Sequence, residues 1–273
     1  MEESNSRNWR GTDAEADGER FAEYLDRATA MEQIQSYKSR SYDLLDLDAG
    51  DDVLDAGCGI GDDVLALASV VGVDGRAVGV DNSDTLIAKA RAEADGQPNV
   101  TFRVGDIYDM GFATDRFDAS RADRILQHLE EPRTALEELL RVTRPGGRVG
   151  LTDPDWESLV LDAPGAKPPH ELLDARYLDS HNPALGRKLY RLAGEAGLTE
   201  RSVDPFLLTT TDFETVYEMI DFESWARKMQ AEDRLKEADF RAWVERLRAA
   251  DEADRFFGAT PAYTVTGVVP ESR

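Results

Sequence analysis

The sequence predicts an α/β fold in which a seven-stranded, mostly parallel sheet carries helices on both faces. After residue 50, short apolar runs alternate with helical stretches, a pattern typical of a parallel sheet. The first of these runs ends in "DAGCGIG", where three glycines at two-residue spacing directly precede a helical pattern. Because parallel sheets bind ligands at the carboxyl ends of their strands, this loop marks the predicted site.

Each element follows from a local pattern. The first five strands are predicted from the runs "DVLDAG", "RAVGVD", "VTFRVGD", "RFDASRAD" and "GRVGLTD", and the last two from "TERSVDPFLLTTTD" and "AYTVTGVV". Apolar residues at helical spacing predict helices in "DDVLALASVV", "SDTLIAKARAEA", "PRTALEELLRVTR" and "NPALGRKLYRLAGEAGL". The Pro-containing stretch "PDWESLVLDAPGAKPPHELLDA" is predicted to be an irregular excursion after the fifth strand.

The remaining segments extend this core. Residues 1–18 are rich in acidic and small polar residues and predict a mobile tail. Residues 19–48 carry apolar residues at helical spacing and predict two helices before the core. Residues 49–273 are predicted to form the main domain, with a helical lid at about 211–258 inserted before the last strand.

Composition excludes several classes of function. The formal net charge of −23 repels nucleic-acid phosphates and anionic lipid surfaces, so neither is an expected partner. The excess of acidic residues and the scarcity of lysine favour a protein adapted to concentrated salt, and hence a halophilic source, because salt screens self-repulsion. The alternative is an ordinary acidic protein from a GC-rich genome.

Other residue types set further limits. A single cysteine, Cys58, and three histidines cannot form a disulfide framework or a cysteine-rich zinc site, so no metal is expected. No apolar run reaches the roughly 18 residues of a membrane span, and the acidic N-terminal stretch does not resemble a secretory signal. These features predict a cytoplasmic protein.

The glycine loop and the strand ends that follow it point to an adenosine-containing ligand. Gly57, Gly59 and Gly61 let a ligand approach the loop backbone, but an acidic pair follows them where a pyrophosphate would be repelled. Asp81, about twenty residues further on, is placed to accept both hydroxyls of a ribose. Asp106 ends the third strand, where its carboxylate would accept from an adenine amino group.

In its ordered motifs the chain resembles the class I S-adenosylmethionine-dependent methyltransferases, most closely the small-molecule branch that includes ubiquinone and menaquinone biosynthesis. The resemblance covers roughly residues 44–152, through "VLDAGCGIG", "GVDNS", "GDIYDMGF", "FDASRADRILQHLEEP" and "LLRVTRPGGRVGLTD". It implies a Rossmann-like sheet, S-adenosylmethionine as cofactor, and methyl transfer to a small, apolar or aromatic metabolite. The cofactor-binding residues that it implies are Asp55, Gly57, Gly59, Gly61, Asp81, Asn82, Asp106, Ile107 and Arg121, with Tyr37 and Arg40 closing over the cofactor carboxylate.

The resemblance also indicates where the acceptor lies. In the family, residues after the fourth strand line the acceptor side, which here includes Arg121, Arg124, Gln127 and His128. His128 is a candidate general base because its pKa lies near neutrality, although a histidine there often only packs. Asp153 and Trp156 follow the fifth strand and could shape the acceptor pocket or simply turn the chain. In the lid, Tyr217 and Trp225 could line that pocket, with core packing as the alternative.

Two other classes of protein stay open at this point. A nicotinamide-dependent oxidoreductase can use a similar sheet, although the glycine spacing disfavours it. A non-catalytic S-adenosylmethionine-binding protein would share the same cofactor motifs. An aminopropyl transferase is a weaker alternative, because it would be expected to carry a longer glycine run.

Overall fold

A computed structural model describes residues 31–162 and 180–271, together with Ala22, Leu25 and Thr29. The predicted mobile tail lies outside the described residues, as does most of the first predicted N-terminal helix. The second corresponds to α1 (Glu32–Asp43), which packs with Ile34 and Tyr37 buried.

One mixed sheet forms the centre of the described chain. Its first five strands, β1 to β5, are parallel to one another in the order β3-β2-β1-β4-β5. The last strand, β8, lies antiparallel to β5, to β7 and to the short β6. The strands are β1 (Asp52–Ala56), β2 (Arg76–Asp81), β3 (Val100–Val104), β4 (Phe117–Asp123), β5 (Thr143–Pro154), β6 (Val160–Asp162), β7 (Thr199–Thr210) and β8 (Phe257–Val268).

The predicted α/β class and the mostly parallel sheet are confirmed, with eight strands where seven were expected. The additional strand is β6, which lies in the segment predicted to be an irregular excursion. It forms because β8 extends beyond the end of β5, where Pro154 pairs with Ala262. Residues 257–259 of β8 can therefore pair with β6 on that side.

Helices cover both faces of the sheet. Val53 and Leu54 are neighbours in β1 but belong to different hydrophobic clusters, because successive side chains of a strand point to opposite faces. The cluster with Val53 includes residues of α2 and α3, and the cluster with Leu54 includes residues of α4 and α5. These helices are α2 (Asp62–Val71), α3 (Asp84–Glu93), α4 (Pro132–Val142) and α5 (Leu189–Glu195).

Three further helices separate β7 from β8. They are α6 (Phe213–Ile220), α7 (Phe222–Ala231) and α8 (Glu237–Glu252), in the range where the sequence predicts a lid. They share an apolar core of their own, in which Phe222 lies 5.3 Å from the ring of Trp225 and 5.3 Å from that of Trp243. Within the described ranges, the helices are all too short or too polar to cross a membrane.

Candidate functional site

The glycine loop joins β1 to α2 at the carboxyl edge of the sheet. Gly57 has a φ of +78°, and a Cβ there would lie 2.3 Å from the side chain of Ile125. Since that combination of backbone and contact excludes a larger residue, the turn after β4 can approach the loop closely. The amides of Gly57 and Cys58 both donate to the carbonyl of Val80, at 2.7 and 3.0 Å, which ties the loop to the end of β2.

Asp81 ends β2 and faces the same loop. Its two oxygens accept from the amides of Gly59 and Ser83, each at 3.0 Å, while Ser83 itself caps α3 by accepting from Leu86. Burial raises the pKa of the Asp81 carboxyl, and the backbone donors oppose that shift. The structure therefore brings the predicted ribose acceptor into direct contact with the glycine loop.

A buried group of charges, here called the ion cluster, lies beneath the loop. Arg121 of β4 is at its centre and contacts Asp55 at 3.2 Å, Asp63 at 3.1 Å and Asp123 at 2.8 Å. Lys38 of α1 contacts Asp63 at 2.7 Å. The cluster also includes Tyr37 and Tyr42, and it joins α1, β1, α2 and β4.

Arg121 is also a predicted cofactor-binding residue, and in the structure it lies at the centre of the ion cluster. Its side chain is 3% exposed, and its guanidinium is occupied by three carboxylates. A charged side chain on a central strand is shielded from water. The buried guanidinium therefore needs carboxylate partners to offset the hydration that it loses. Arg121 is a structural centre of the ion cluster.

The pKa values of two carboxyls in the cluster are shifted in opposite directions. Burial raises the pKa of Asp55, with Arg121 opposing the shift. Burial would also raise the pKa of Asp63, but the charges of Arg121 and Lys38 overcome that effect and hold it well below its usual range. Oδ2 of Asp55 is buried without a hydrogen-bond partner among the described residues. An unpartnered carboxylate oxygen at the base of the glycine loop fits a cofactor with an ammonium group.

The two residues of α1 that were predicted to reach the cofactor, Tyr37 and Arg40, both contact β7. The Tyr37 hydroxyl donates to Asp123 at 3.3 Å, and its ring stacks on Phe206 at 4.2 Å. Arg40, also predicted to reach the cofactor, forms two 2.7 Å hydrogen bonds with Asp204 of β7. Its guanidinium is thus directed to β7, which Tyr37 also contacts one helical turn earlier in α1.

Leu25 lies over the glycine loop. Its side chain packs with Ala22, Ile60 and Leu86, and its Cδ1 lies 3.0 Å from where a Cβ on Gly59 would stand. Leu25 therefore packs against the glycine loop.

Three further residues that were predicted to bind the cofactor lie after the ends of β2 and β3. Asn82 is exposed directly after Asp81. Asp106 is exposed and caps its own turn, since its Oδ1 accepts from the amide of Tyr108 at 3.0 Å. Ile107 is half-buried against the core cluster on one face of the sheet.

The turn after β4 carries the candidate acceptor residues. Arg124 has a φ of +58°, a left-handed backbone that is rare for a long side chain, and its amide donates to Thr152 at 2.7 Å. Such strain is often found at functional sites. Gln127 is buried, and its Oε1 accepts from the indole N–H of Trp156 at 2.7 Å. His128 is half-buried at the end of the same turn.

Asp153 lies between the turns that follow β4 and β5. Its carboxyl is fully buried, and neither oxygen has a hydrogen bond of normal geometry within the described chain. Burial raises its pKa well above the usual range, Asp123 adds to the shift, and the nearby amides of Gln127 and Leu126 oppose it. The surroundings of the Asp153 carboxyl therefore favour its neutral form.

The two predicted lid residues belong to the helical block itself. Trp225 is 2% exposed within the aromatic core of α6, α7 and α8. Tyr217 packs at the rim of that core, donates to Glu223, and has Arg248 5.2 Å from its ring centre. For both residues the packing alternative describes the structure, because the three helices need an apolar core of their own to fold beside the sheet.

Most residues of the ion cluster were not predicted from the sequence. The signal was present in "SRAD", where Arg121 and Asp123 alternate on one face of a strand that the pattern places at the centre of the sheet. Charges on a buried strand need partners, and Asp63, which itself pairs with Lys38, provides one for Arg121. In the described residues, His, Cys, Asp and Glu side chains form no group of three that could hold a metal ion.

Comparison with known proteins identifies the family. The model of the family described as "Methyltransferase domain" matches residues 47–194, more than half of the chain. The chain belongs to this methyltransferase domain family, which confirms the predicted resemblance. The chain spans about half the length of the relatives it matches, or less.

Three proteins show what this chain is similar to in sequence or in fold. An uncharacterised protein of transposon TN4556 from Streptomyces fradiae is 38% identical over 189 residues, which is 67% of this chain and 53% of that protein. A demethylmenaquinone methyltransferase from Paenarthrobacter aurescens is 34% identical over 139 residues, 49% of this chain and 53% of that one. The solved structure of Haemonchus contortus phosphoethanolamine N-methyltransferase 2 with S-adenosyl-L-methionine has a TM-score of 0.59 and 18% identity, covering 98% of this chain and 60% of that one.

Proposed function

We propose that this chain transfers a methyl group from S-adenosylmethionine to a small, apolar or aromatic metabolite. The observation that carries the proposal is the contact between Asp81 and the amide of Gly59 at 3.0 Å. This contact supports a role in ribose binding, because the carboxylate lies beside a glycine loop that a bulky cofactor can approach. Family membership supports the reaction, and a methyltransferase of the same fold binds this cofactor.

In this proposal each group of residues binds a different portion of the cofactor. The glycine loop holds the methionine portion, with Oδ2 of Asp55 accepting from its ammonium group. Asp81 and Asn82 bind the ribose hydroxyls, and Asp106 and Ile107 hold the adenine. The acidic character of this edge suits the sulfonium cation and disfavours the pyrophosphate of a nicotinamide cofactor.

Methyl transfer is an in-line displacement, so the protein mainly aligns the two reactants and excludes water. Bound S-adenosylmethionine supplies the electrophilic methyl group. The turn of Arg124, Gln127 and His128 lies at the end of the strand next to β1 and would face the acceptor. His128 takes the proton in this proposal if the acceptor is a hydroxyl. The helical block from α6 to α8 would cover the acceptor as a lid.

The surroundings of the reaction follow from charge. A surface of net charge −23 supports an acceptor other than nucleic acid, a cytoplasmic setting, and function in concentrated salt. Salt tolerance predicts that cofactor binding persists in molar KCl.

The test is calorimetric titration of S-adenosylmethionine and S-adenosylhomocysteine, in low salt and in molar KCl. Asp81→Asn should weaken binding about tenfold or more, because a hydrogen bond to a charged group contributes about 1.5–3 kcal/mol. The matched control is Asp74→Asn, an exposed aspartate before β2 at the opposite edge of the sheet, which should bind as the unmodified protein does. A folded protein that binds neither compound would refute the proposal.

A second step tests transfer itself. Extracts of small metabolites are incubated with the protein and isotopically labelled S-adenosylmethionine, and the labelled products are identified. His128→Gln should lower kcat and leave cofactor affinity unchanged if His128 is the base. Cofactor binding without any labelled product would favour a non-catalytic binding protein.

A further inference from the structure

A cavity of about 40 Å³ lies at the carboxyl edge of the sheet, on the side away from the glycine loop. A single water needs about 10–15 Å³ of such space, so the cavity has room for a small group of carbon atoms. Its walls come from five parts of the fold: α1, the turn after β5, the end of β7, α6 and the start of β8. We call it the apolar cavity; its main apolar wall residues are Met31, Ile34, Trp156, Leu208, Val216 and Ile220.

The polar groups on the wall next to α1 and α6 are all satisfied within the protein. The side-chain amide of Gln33 donates to the carbonyl of Thr209 at 2.9 Å and accepts from its amide at 2.8 Å. The hydroxyl of Thr215 donates to the carboxylate of Asp212 at 2.7 Å, and that of Thr210 to the carbonyl of Asp212 at 3.4 Å. Each of these groups already has a partner, so none of them requires one from a ligand.

The same holds on the wall nearest the proposed acceptor turn. The hydroxyl of Thr260 donates to the carbonyl of Asp155 at 3.4 Å. The indole N–H of Trp156 donates to Gln127, so its ring faces the cavity with its polar end turned away toward the turn after β4. A ligand with hydrogen-bonding groups would lose water in this cavity without gaining new partners, which costs free energy. A hydrocarbon group carries no such cost.

The topology places the cavity beside the proposed reaction site. Pro154 ends β5 opposite Ala262, so residues 258–260 of β8 extend past the carboxyl end of β5. The cavity therefore opens on the same edge of the sheet as the glycine loop. The hydrogen bond between Gln127 and Trp156 joins the turn after β4 to the wall of the cavity.

We propose that the apolar cavity binds a hydrocarbon portion of the methyl acceptor, an aliphatic chain or ring without hydrogen-bonding groups, and that Trp156, held by Gln127, determines its fit. This inference rests on the proposed methyl transfer. It adds that the acceptor has two distinct parts. Its reacting group lies at the turn after β4, and its hydrocarbon end lies beyond Trp156.

The test uses isotopically labelled butanol, observed by NMR, as the probe and its displacement by linear alcohols from ethanol to hexanol, because chains of this size suit a cavity of about 40 Å³. Each added methylene should tighten the competing alcohol about fourfold until the cavity is full, since burying one methylene contributes about 0.8 kcal/mol. Affinity that does not depend on chain length would overturn the proposal.

Three variants locate the binding. Leu208→Trp fills the cavity and should weaken the probe about tenfold or more. Val216→Thr keeps the volume but adds a hydroxyl and should weaken it roughly fivefold. The matched control is Val203→Thr, the same change at an exposed position of β7 outside the cavity, which should leave probe affinity unchanged. Equal responses at positions 203 and 216 would contradict the assignment.

Two further measurements separate the possible failures. Calorimetry with S-adenosylhomocysteine on each variant checks that the protein is folded and that the cofactor site is intact. Cofactor binding without probe binding overturns the cavity proposal and leaves the proposed function standing. Probe binding without cofactor binding refutes the proposed function instead. Loss of probe binding as protein concentration rises would assign the cavity to a contact between copies of the chain, and would overturn its role in acceptor binding.

Discussion

The carboxyl edge of the sheet has two halves, one beneath the glycine loop and one at the apolar cavity, and they differ in how their polar groups are paired. Beneath the glycine loop, three carboxylates and two cations form the ion cluster around Arg121, away from water. At the apolar cavity, each polar side chain of the wall has a protein partner, and the remaining surface is hydrocarbon. A charge cluster requires every member, whereas a hydrocarbon wall tolerates changes of shape. The half beneath the glycine loop is therefore rigidly specified, and the half at the cavity tolerates more substitutions.

The largest expected effect comes from removing the centre of the ion cluster. Arg121→Met should lower the free energy of unfolding by about 3–5 kcal/mol, because three buried carboxylates lose their shared cation. Urea unfolding measures the loss, which should persist in molar KCl because salt screens buried charges weakly. The control is Arg248→Met, whose partner Glu214 is half exposed, where about 1 kcal/mol or less is expected. Similar losses for the two variants would contradict the contrast between the cluster and the surface.

A smaller effect is expected at Asp153, on the boundary between the two halves. Its raised pKa means that the folded state keeps a proton that the unfolded state releases, so stability falls as pH rises above the pKa of the unfolded group. Asp153→Asn mimics the neutral form and should remove that slope, which is at most about 1.4 kcal/mol per pH unit for one proton. The variant should thus gain stability over the unmodified protein toward neutral pH and gain little near pH 4.

Urea unfolding at several pH values between 4 and 8 measures this difference. Asp155→Asn provides the comparison, because the buried Asp155 carboxylate is paired with Arg187. Removing its charge should lower the stability of the protein. A pH slope that is unchanged in Asp153→Asn would show that this carboxyl is ionised in the folded protein.

The smallest effect is expected at Arg40. Arg40→Ala removes two hydrogen bonds to Asp204, but the arginine side chain is 61% exposed, so the loss of stability should be under about 1 kcal/mol. Because the guanidinium is directed to β7, affinity for S-adenosylhomocysteine should not change. A large fall in that affinity, measured by calorimetry, would restore the role in cofactor binding that the sequence suggested.

Local patterns were enough to predict the fold and the cofactor edge. The alternation of strands and helices, the three glycines and the acids at the ends of β2 and β3 are all set by residues close together in the chain. Asp81 was expected beside the loop, and the structure joins it to Gly59. The strand β6 was missed because three residues carry too little periodicity, and their pairing depends on the length of β8.

The sequence by itself determined this protein's sheet, its glycine loop and the order of its motifs, because periodicity and turn chemistry act over a few residues. Only the tertiary structure decided which charges are paired and which surfaces are closed. Arg121 finds carboxylate partners in two other elements, β1 and α2, Arg40 meets Asp204 across 164 residues, and the apolar cavity needs walls from both Met31 and Thr260. Burial sets the cost of each unpaired charge and each exposed apolar wall, and burial depends on how distant segments pack.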